Sequence, residues 1–192
     1  MAKNPNPYGP QALTVQEATN LAAQRKQIVV TPALTTSAIG GGDVLINSEE
    51  IPNAVLNPGG CSLLRGITLI DYDDDAIDIT LLFTQNSATW AAVNSVPTLD
   101  AAGIKAANVL SAVTLDRTDT DQTDIINAKV DTYTEMNAPE GIDYTAATNT
   151  GGFFLPVFLQ AAAGSTSVYF SILTAANTWG TADLEFHFNI EY

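Results

Sequence analysis

The sequence LEFHFNIEY, residues 184–192, alternates strictly between apolar and polar side chains. A period of two residues is typical of a β-strand that buries one face and leaves the other in solvent. The polar face carries Glu185, His187, Asn189 and Glu191, and the apolar face carries Leu184, Phe186, Phe188, Ile190 and Tyr192. This stretch predicts a half-buried antiparallel strand.

Short apolar runs separated by turn residues continue through most of residues 28–192. Alternation recurs in SVYFSI at 167–172, and Pro32 restricts the run IVVTPALTT to a sheet edge or a bulge. Further strands are predicted in SLLRGITLIDY (62–72), IDITLLFTQ (77–85), SAVTL (111–115) and FFLPVFLQ (153–160). The fold class predicted is all-β, an antiparallel β-sandwich with one or two short helices.

Two helices are predicted, one before the sandwich and one inside it. In the first, residues 14–27, Thr14 and Glu17 have the spacing of a capping box, and Arg25 and Lys26 lie near the end that favours cations. The second begins at about Asp100, ahead of AAGIKAAN. The chain therefore divides into an extended N-terminal arm with a short helix, residues 1–27, and a β-sandwich domain, residues 28–192.

The arm is the segment that we expect to dock against another surface. MAKNPNPYGP holds three prolines, two asparagines and a glycine, a composition that cannot bury a core of its own. Segments that become ordered on binding can wrap a large surface. The expected interface residues are Lys3, Pro5, Pro7, Tyr8, Pro10, Leu13, Leu21, Arg25 and Lys26.

The acidic stretch DYDDDAID, residues 71–78, is a candidate calcium loop because Asp71, Asp73 and Asp75 alternate. An EF-hand loop needs glycine at its sixth position and glutamate at its twelfth, where this chain has Ala76 and Leu82. The pattern favours a solvated hairpin tip between two apolar strands. A second acidic run, DRTDTDQTD at 116–124, also lacks metal-loop spacing, although two acidic loops could converge on an ion.

Enzyme chemistry finds little support in the residue types present, so no catalytic residue and no cofactor is predicted. His187 is the only histidine, and no G-x-S-x-G elbow accompanies it. One cysteine and one histidine cannot make a zinc site, and Cys61 is expected to be a small buried thiol. Trp90 and Trp179, with Tyr133 and Tyr144 behind them, could form a sugar platform, but a loop plug is the favoured interpretation for Trp179.

The charge distribution narrows the range of partners. Seven basic and 21 acidic residues give a net charge of −14, which argues against nucleic acid, and no apolar run approaches the length of a membrane span. Residues 1–27 carry a net charge of +2, and the remainder carries −16. The N-terminus has no hydrophobic stretch of the signal-peptide type, so synthesis in a cytoplasm is expected.

In their order along the chain, these features resemble those of the small β-sandwich decoration (cement) proteins encoded among the head genes of tailed bacteriophages. The resemblance covers residues 28–192, except for the longer insert at 116–150. It is carried by four stretches, VVTPALTTSAIGGGDVL (29–45), LRGITLIDYDDDAIDITLLFTQN (64–86), LDAAGIKAANVLSAVTL (99–115) and AAAGSTSVYFSILTAANTWGTADLEFHFNIEY (161–192).

This resemblance implies that the sandwich is jelly-roll-like and that the chain is a virion structural protein on the outer capsid surface. Its expected partners are the major capsid protein and other copies of itself, as a homotrimer, and the expected role is to bridge capsid subunits and stabilise the shell. Three alternatives remain open at this point: a carbohydrate-binding or adhesion module, a tail or neck structural protein, and a calcium-stabilised virion protein.

Overall fold

A computed structural model describes residues 24–73, 77–115, 117, 123–125, 128–134 and 155–192. Ten strands and one helix lie within them. In chain order they are β1 (Arg25–Val30), β2 (Asp43–Ile51), β3 (Cys61–Asp71), β4 (Ile79–Thr84), α1 (Ala101–Ala107), β5 (Val109–Leu115), β6 (Thr123–Ile125), β7 (Ala128–Thr134), β8 (Val157–Gln160), β9 (Val168–Thr174) and β10 (Leu184–Glu191).

The strands form two antiparallel sheets that pack face to face, which confirms the predicted all-β sandwich. Sheet 1 has the order β1-β10-β3-β7-β6, and β8 also pairs with β3; sheet 2 has the order β2-β9-β4-β5. Four antiparallel pairs are nested along the chain, namely β1 with β10, β2 with β9, β3 with β8, and β4 with β5. Alternate pairs lie in alternate sheets, which is the jelly-roll arrangement.

The hairpin of β6 and β7 extends this framework between β5 and β8. Strand β7 pairs with the half of β3 from Gly66 to Asp71, whereas β8 pairs with the half from Cys61 to Leu64. The long strand β3 therefore holds two partners along one edge and β10 along the other. Strands β6 and β7 lie within the 116–150 insert, of which the structure describes residues 117, 123–125 and 128–134.

The core lies between the inward faces of the two sheets. Leu184, Phe186, Phe188 and Ile190 are buried, as the alternation of the last strand predicts. The rings of Phe170 and Phe188 join the sheets edge-to-face, with centroids 5.1 Å apart. Aromatic pairs in this geometry contribute about 0.5–1.5 kcal/mol beyond the burial of their area. Strand β10 lies between β1 and β3 in sheet 1, and its continuous apolar face covers this core.

The acidic stretch 71–78 does not join a hairpin, so that prediction is wrong. Strand β3 lies in sheet 1 and β4 in sheet 2, and the two do not pair with each other. The stretch carries the chain across one end of the sandwich. An apolar strand on each side is equally compatible with a hairpin and with a crossing, which is why the local pattern did not distinguish them.

The two predicted helices have different outcomes. Helix α1 is confirmed, and the Asp100 side chain caps it by accepting a hydrogen bond from the Gly103 backbone N–H at 2.8 Å. Arg25 and Lys26, expected at the end of the first helix, instead begin strand β1 and pair with Glu191 and Ile190. Pairing with the last strand outweighs the local helical pattern here. Residues 14–23 of the predicted helix lie outside the described residues.

Candidate functional site

An open groove of about 720 Å³ lies at the β1 edge of sheet 1. Four strands contribute to it: β1, β3, β7 and β10. Its lining residues are Arg25, Lys26, Gln27, Arg65, Thr134, Asn189, Ile190 and Glu191. Three of the protein's seven basic residues therefore meet in one place, on a chain whose net charge is −14. We refer to these eight residues as the basic groove.

The carboxylate of Glu191 pairs with both arginines of the basic groove. The Oε2 atom of Glu191 lies 3.2 Å from Arg65 Nε and 3.4 Å from Arg25 Nη2. The Arg25 side chain keeps 78% of its surface exposed, so most of its guanidinium faces solvent. Three cations and one carboxylate leave the groove with a local charge of +2. Exposed pairs of this kind add little to folding stability, which leaves these charges suited to recognition.

A β-bulge brings Arg65 into the groove. Asn189 pairs with Gly66 and the next residue, Ile190, pairs with Leu64, so Arg65 is the extra residue on β3. Glycine suits the position beside the bulge, because a Cβ at position 66 would lie only 3.1 Å from the Tyr133 carbonyl oxygen on β7. Bulges redirect side chains, and here the result is a cation beside Glu191. The isolated glycine within an apolar strand was the sequence signal for this residue, which the sequence analysis missed.

An apolar pair lies next to the basic groove on the outer face of sheet 1. Glu191 pairs across the strands with Leu63, and Leu63 pairs in turn with Phe158 on β8. Arg25 pairs with Glu191 on the other side, so the four residues form one row across the sheet. Phe158 is 54% exposed, which is unusual for a phenylalanine. The outer face therefore combines an exposed aromatic ring with arginines.

The first aspartate of the acidic stretch forms part of a buried ionic cluster, not a solvated tip. Asp71 Oδ2 lies 2.6 Å from Arg117 Nη1, and Asp131 Oδ2 lies 2.7 Å from Arg117 Nε. All three side chains are buried. Burial alone lowers the pKa of the guanidinium, but the hydrogen bonds and charges of the two aspartates together raise it above its ordinary value.

The last aspartate of the same stretch also binds Arg117. Asp78 Oδ1 accepts a hydrogen bond from the Arg117 backbone N–H at 2.9 Å, while Asp71 Oδ1 accepts one from the Asp73 N–H. Both ends of the 71–78 crossing are therefore fixed to Arg117, two residues after the end of β5. The role of these aspartates is structural, as anchors between the two sheets.

The structure does not bring the candidate calcium ligands Asp71 and Asp73 together. Asp71 points into the buried cluster, Asp73 is exposed, and Asp75 lies outside the described residues. Within the described part of the chain, no group of three or more acidic, histidine or cysteine side chains has the geometry to hold a metal ion.

The other side chains singled out from the sequence occupy unremarkable structural roles. His187 Nε2 lies 2.6 Å from Glu185 Oε1 on the outer face of β10, as the alternation indicated. Cys61 is exposed at the start of β3, so its predicted burial is wrong. The outward face of β3 begins at this residue, whereas its neighbour Ser62 points inward.

Both tryptophans are buried, which removes them as an exposed platform for sugars. Trp179 lies in the core cluster at the turn between β9 and β10, so the loop-plug prediction is confirmed. Trp90 closes over sheet 2, where its Nε1 donates a hydrogen bond to Ser171 Oγ on β9. Tyr133 is also buried, and Tyr144 lies outside the described residues.

Of the interface residues expected from the sequence, two lie together in the basic groove, namely Arg25 and Lys26. The other seven precede residue 24 and lie outside the described residues; they are Lys3, Pro5, Pro7, Tyr8, Pro10, Leu13 and Leu21. The groove thus adjoins the point at which the predicted arm meets the sandwich.

Comparison with known proteins leaves the family open. No protein-family model matches this chain, and no curated protein matches it significantly. Among the described residues, none of the helical structure is both long and apolar enough to cross a bilayer.

Proposed function

We propose that this protein is a virion structural protein that decorates the outer face of a bacteriophage head. It binds the major capsid protein, assembles as a homotrimer and stabilises the shell by bridging neighbouring capsid subunits. The N-terminal arm reaches the adjacent subunit, and the sandwich remains on the outer surface. The protein acts by binding and carries out no chemistry.

The observation that carries this proposal is the basic groove at the root of the arm. A protein with a net charge of −14 places three of its seven basic residues together, beside the segment expected to contact its neighbours. Arrangements of charge at an interface steer partners and fix their register. The jelly-roll framework supports the same function by analogy, since viral capsid domains and lectins both use it.

The alternative of a carbohydrate-binding module has less support. Its sequence argument rested on exposed aromatic rings, and Trp90 and Trp179 are buried. No observation in the described residues separates a head protein from a tail or neck protein. Binding to purified heads is therefore the measurement that decides between them.

The test is co-sedimentation with expanded heads of the phage that encodes the protein, prepared without it. The full chain is compared with a truncation lacking residues 1–23, which keeps all of β1. We expect the full chain to bind in a fixed ratio to the capsid subunit and the truncation to bind far more weakly. Absence of binding by the full chain would refute the proposal; equal binding by both would refute the role of the arm.

A further inference from the structure

The outer face of sheet 1 has the composition of a protein-binding surface. Arg25, Glu191, Leu63 and Phe158 form one row across four strands, and Arg65 joins the row through the β3 bulge. Aromatic residues and arginine dominate the binding energy of protein interfaces, where an apolar anchor is surrounded by polar contacts. Among the larger apolar side chains of the described residues, Phe158 is one of only a few left more than half exposed.

The charge of this surface indicates the chemistry of what binds there. On this face Arg25, Arg65 and Glu191 give a local charge of +1, since Lys26 pairs with the inward-facing Ile190, whereas residues 28–192 as a whole carry −16. The five donors of a guanidinium match the two oxygens of a carboxylate, and Arg25 is the most exposed guanidinium in the groove. A carboxylate-bearing segment therefore complements this face, with an apolar side chain close enough to cover Phe158.

A second copy of the chain is disfavoured as the occupant. Two copies each have a net charge of −14, so the charge of this face gives a second copy no net attraction, and the proposed homotrimer has to form through shape complementarity at another surface. A different protein that presents an acidic segment on a less acidic surface keeps the local attraction without this opposing net charge. The charge balance thus favours a partner other than the protein itself.

We infer that the outer face of sheet 1, from the basic groove to Phe158, is the docking surface for an acidic segment of the capsid subunit that also carries an apolar side chain. This inference rests on the proposed function and adds a second contact to that of the arm. The arm reaches a neighbouring subunit, while this face holds the subunit on which the sandwich sits.

The test uses matched pairs of variants in the full chain, measured for binding to the same purified heads. Arg25→Glu reverses a groove charge, and Lys105→Glu makes the same change on α1, where the side chain is exposed away from sheet 1. Phe158→Ser removes the apolar anchor, and Val96→Ser removes an exposed apolar side chain elsewhere. We expect Arg25→Glu and Phe158→Ser each to weaken binding by about tenfold or more, with less than about twofold for the two controls.

The possible results separate this inference from the proposed function. If the unaltered chain does not bind heads, the proposed function fails and this inference fails with it. If the unaltered chain binds and all four variants bind equally well, only the docking surface is refuted. If Arg25→Glu and Lys105→Glu weaken binding equally, net charge alone is responsible and the surface is again refuted. If Arg25→Glu dissociates an oligomer of the free protein without altering its affinity for heads, the occupant is a second copy and the assignment to the capsid is wrong.

Discussion

Arg117 is the side chain that connects the two sheets at the end of the sandwich where 71–78 crosses. It follows β5 of sheet 2 and pairs with Asp71 of β3 and Asp131 of β7, both in sheet 1. Replacing a buried ion pair as a whole can be neutral, but removing one partner leaves uncompensated charge in the interior. We therefore expect the loss of a single member of this cluster to cost more stability than the replacement of the whole cluster by apolar side chains.

Arg117→Met should destabilise the fold by about 3–5 kcal/mol, because it leaves Asp71 and Asp131 buried without their cation. Urea denaturation followed by circular dichroism measures this loss. Arg65→Met is the matched control: it breaks the half-exposed pair with Glu191, and we expect a change of about 1 kcal/mol or less. Similar losses for the two variants would contradict the distinction between buried and exposed pairs.

Glu49 on β2 is a second residue whose partial burial disfavours the charged form of its side chain. Burial, and then the adjacent charge of Glu50, raise the pKa of the Glu49 carboxyl above its ordinary value of 4.5. A raised pKa means that the folded state binds the proton more tightly, so this residue reduces stability as pH rises through and above that value.

Glu49→Gln should therefore raise the Tm at pH 7, where the Glu49 carboxylate of the unaltered chain is charged. This gain in Tm should be lost below about pH 4.5, where residue 49 is neutral in both the variant and the unaltered chain. Thermal unfolding of the variant and the unaltered chain across this pH range checks the sign. A stabilisation that persisted unchanged at low pH would indicate a packing effect in place of an electrostatic one.

Among the elements, β1 shows where the sandwich begins. Its first three residues, Arg25, Lys26 and Gln27, pair with Glu191, Ile190 and Asn189 of β10. The boundary after residue 27 that composition suggested therefore divides a strand. The structural boundary falls before Arg25, and the basic groove belongs to the folded sandwich.

Removing residues 1–23 should leave the free energy of unfolding almost unchanged, whereas removing residues 1–27 should lower it clearly. The longer deletion takes away half of β1, its ladder hydrogen bonds to β10 and one wall of the basic groove. Urea midpoints of the two truncations provide the comparison. Equal stability of the two would show that the first half of β1 adds nothing to the fold.

The strands were predictable from the sequence wherever one face is continuously apolar, as in Leu184–Glu191. How the strands connect was not, since the choice between a hairpin and a crossing at 71–78 depends on Arg117, about forty residues further along the chain. Ile67, Leu69 and Asp71 occupy alternate positions of β3 and so share its inward face. This alternation was the local sign that Asp71 is buried. The basic groove depends on four strands that are distant in sequence, so composition identified only Arg25 and Lys26.

At the scale of the whole molecule, the net charge of −14 sets both the solubility and part of the stability. Like charges on a compact body repel one another, and this repulsion falls as salt shortens the screening length to about 8 Å at 0.15 M. The buried Arg117 cluster is shielded from salt, so the response to ionic strength reports on the surface charges. Experiments can therefore distinguish general screening of the surface charges from binding of a specific ion by the acidic loops.

Raising sodium chloride from about 0.01 M to about 0.15 M should raise the Tm, and potassium chloride should have the same effect, because general screening does not depend on the cation. Differential scanning calorimetry measures the shift. Calcium chloride at matched ionic strength is the critical comparison, since screening alone predicts little further increase. A distinctly larger rise with calcium, reversed by a chelator, would contradict that expectation and indicate a bound ion, with the acidic stretch that contains Asp73 and Asp75 as the first place to look.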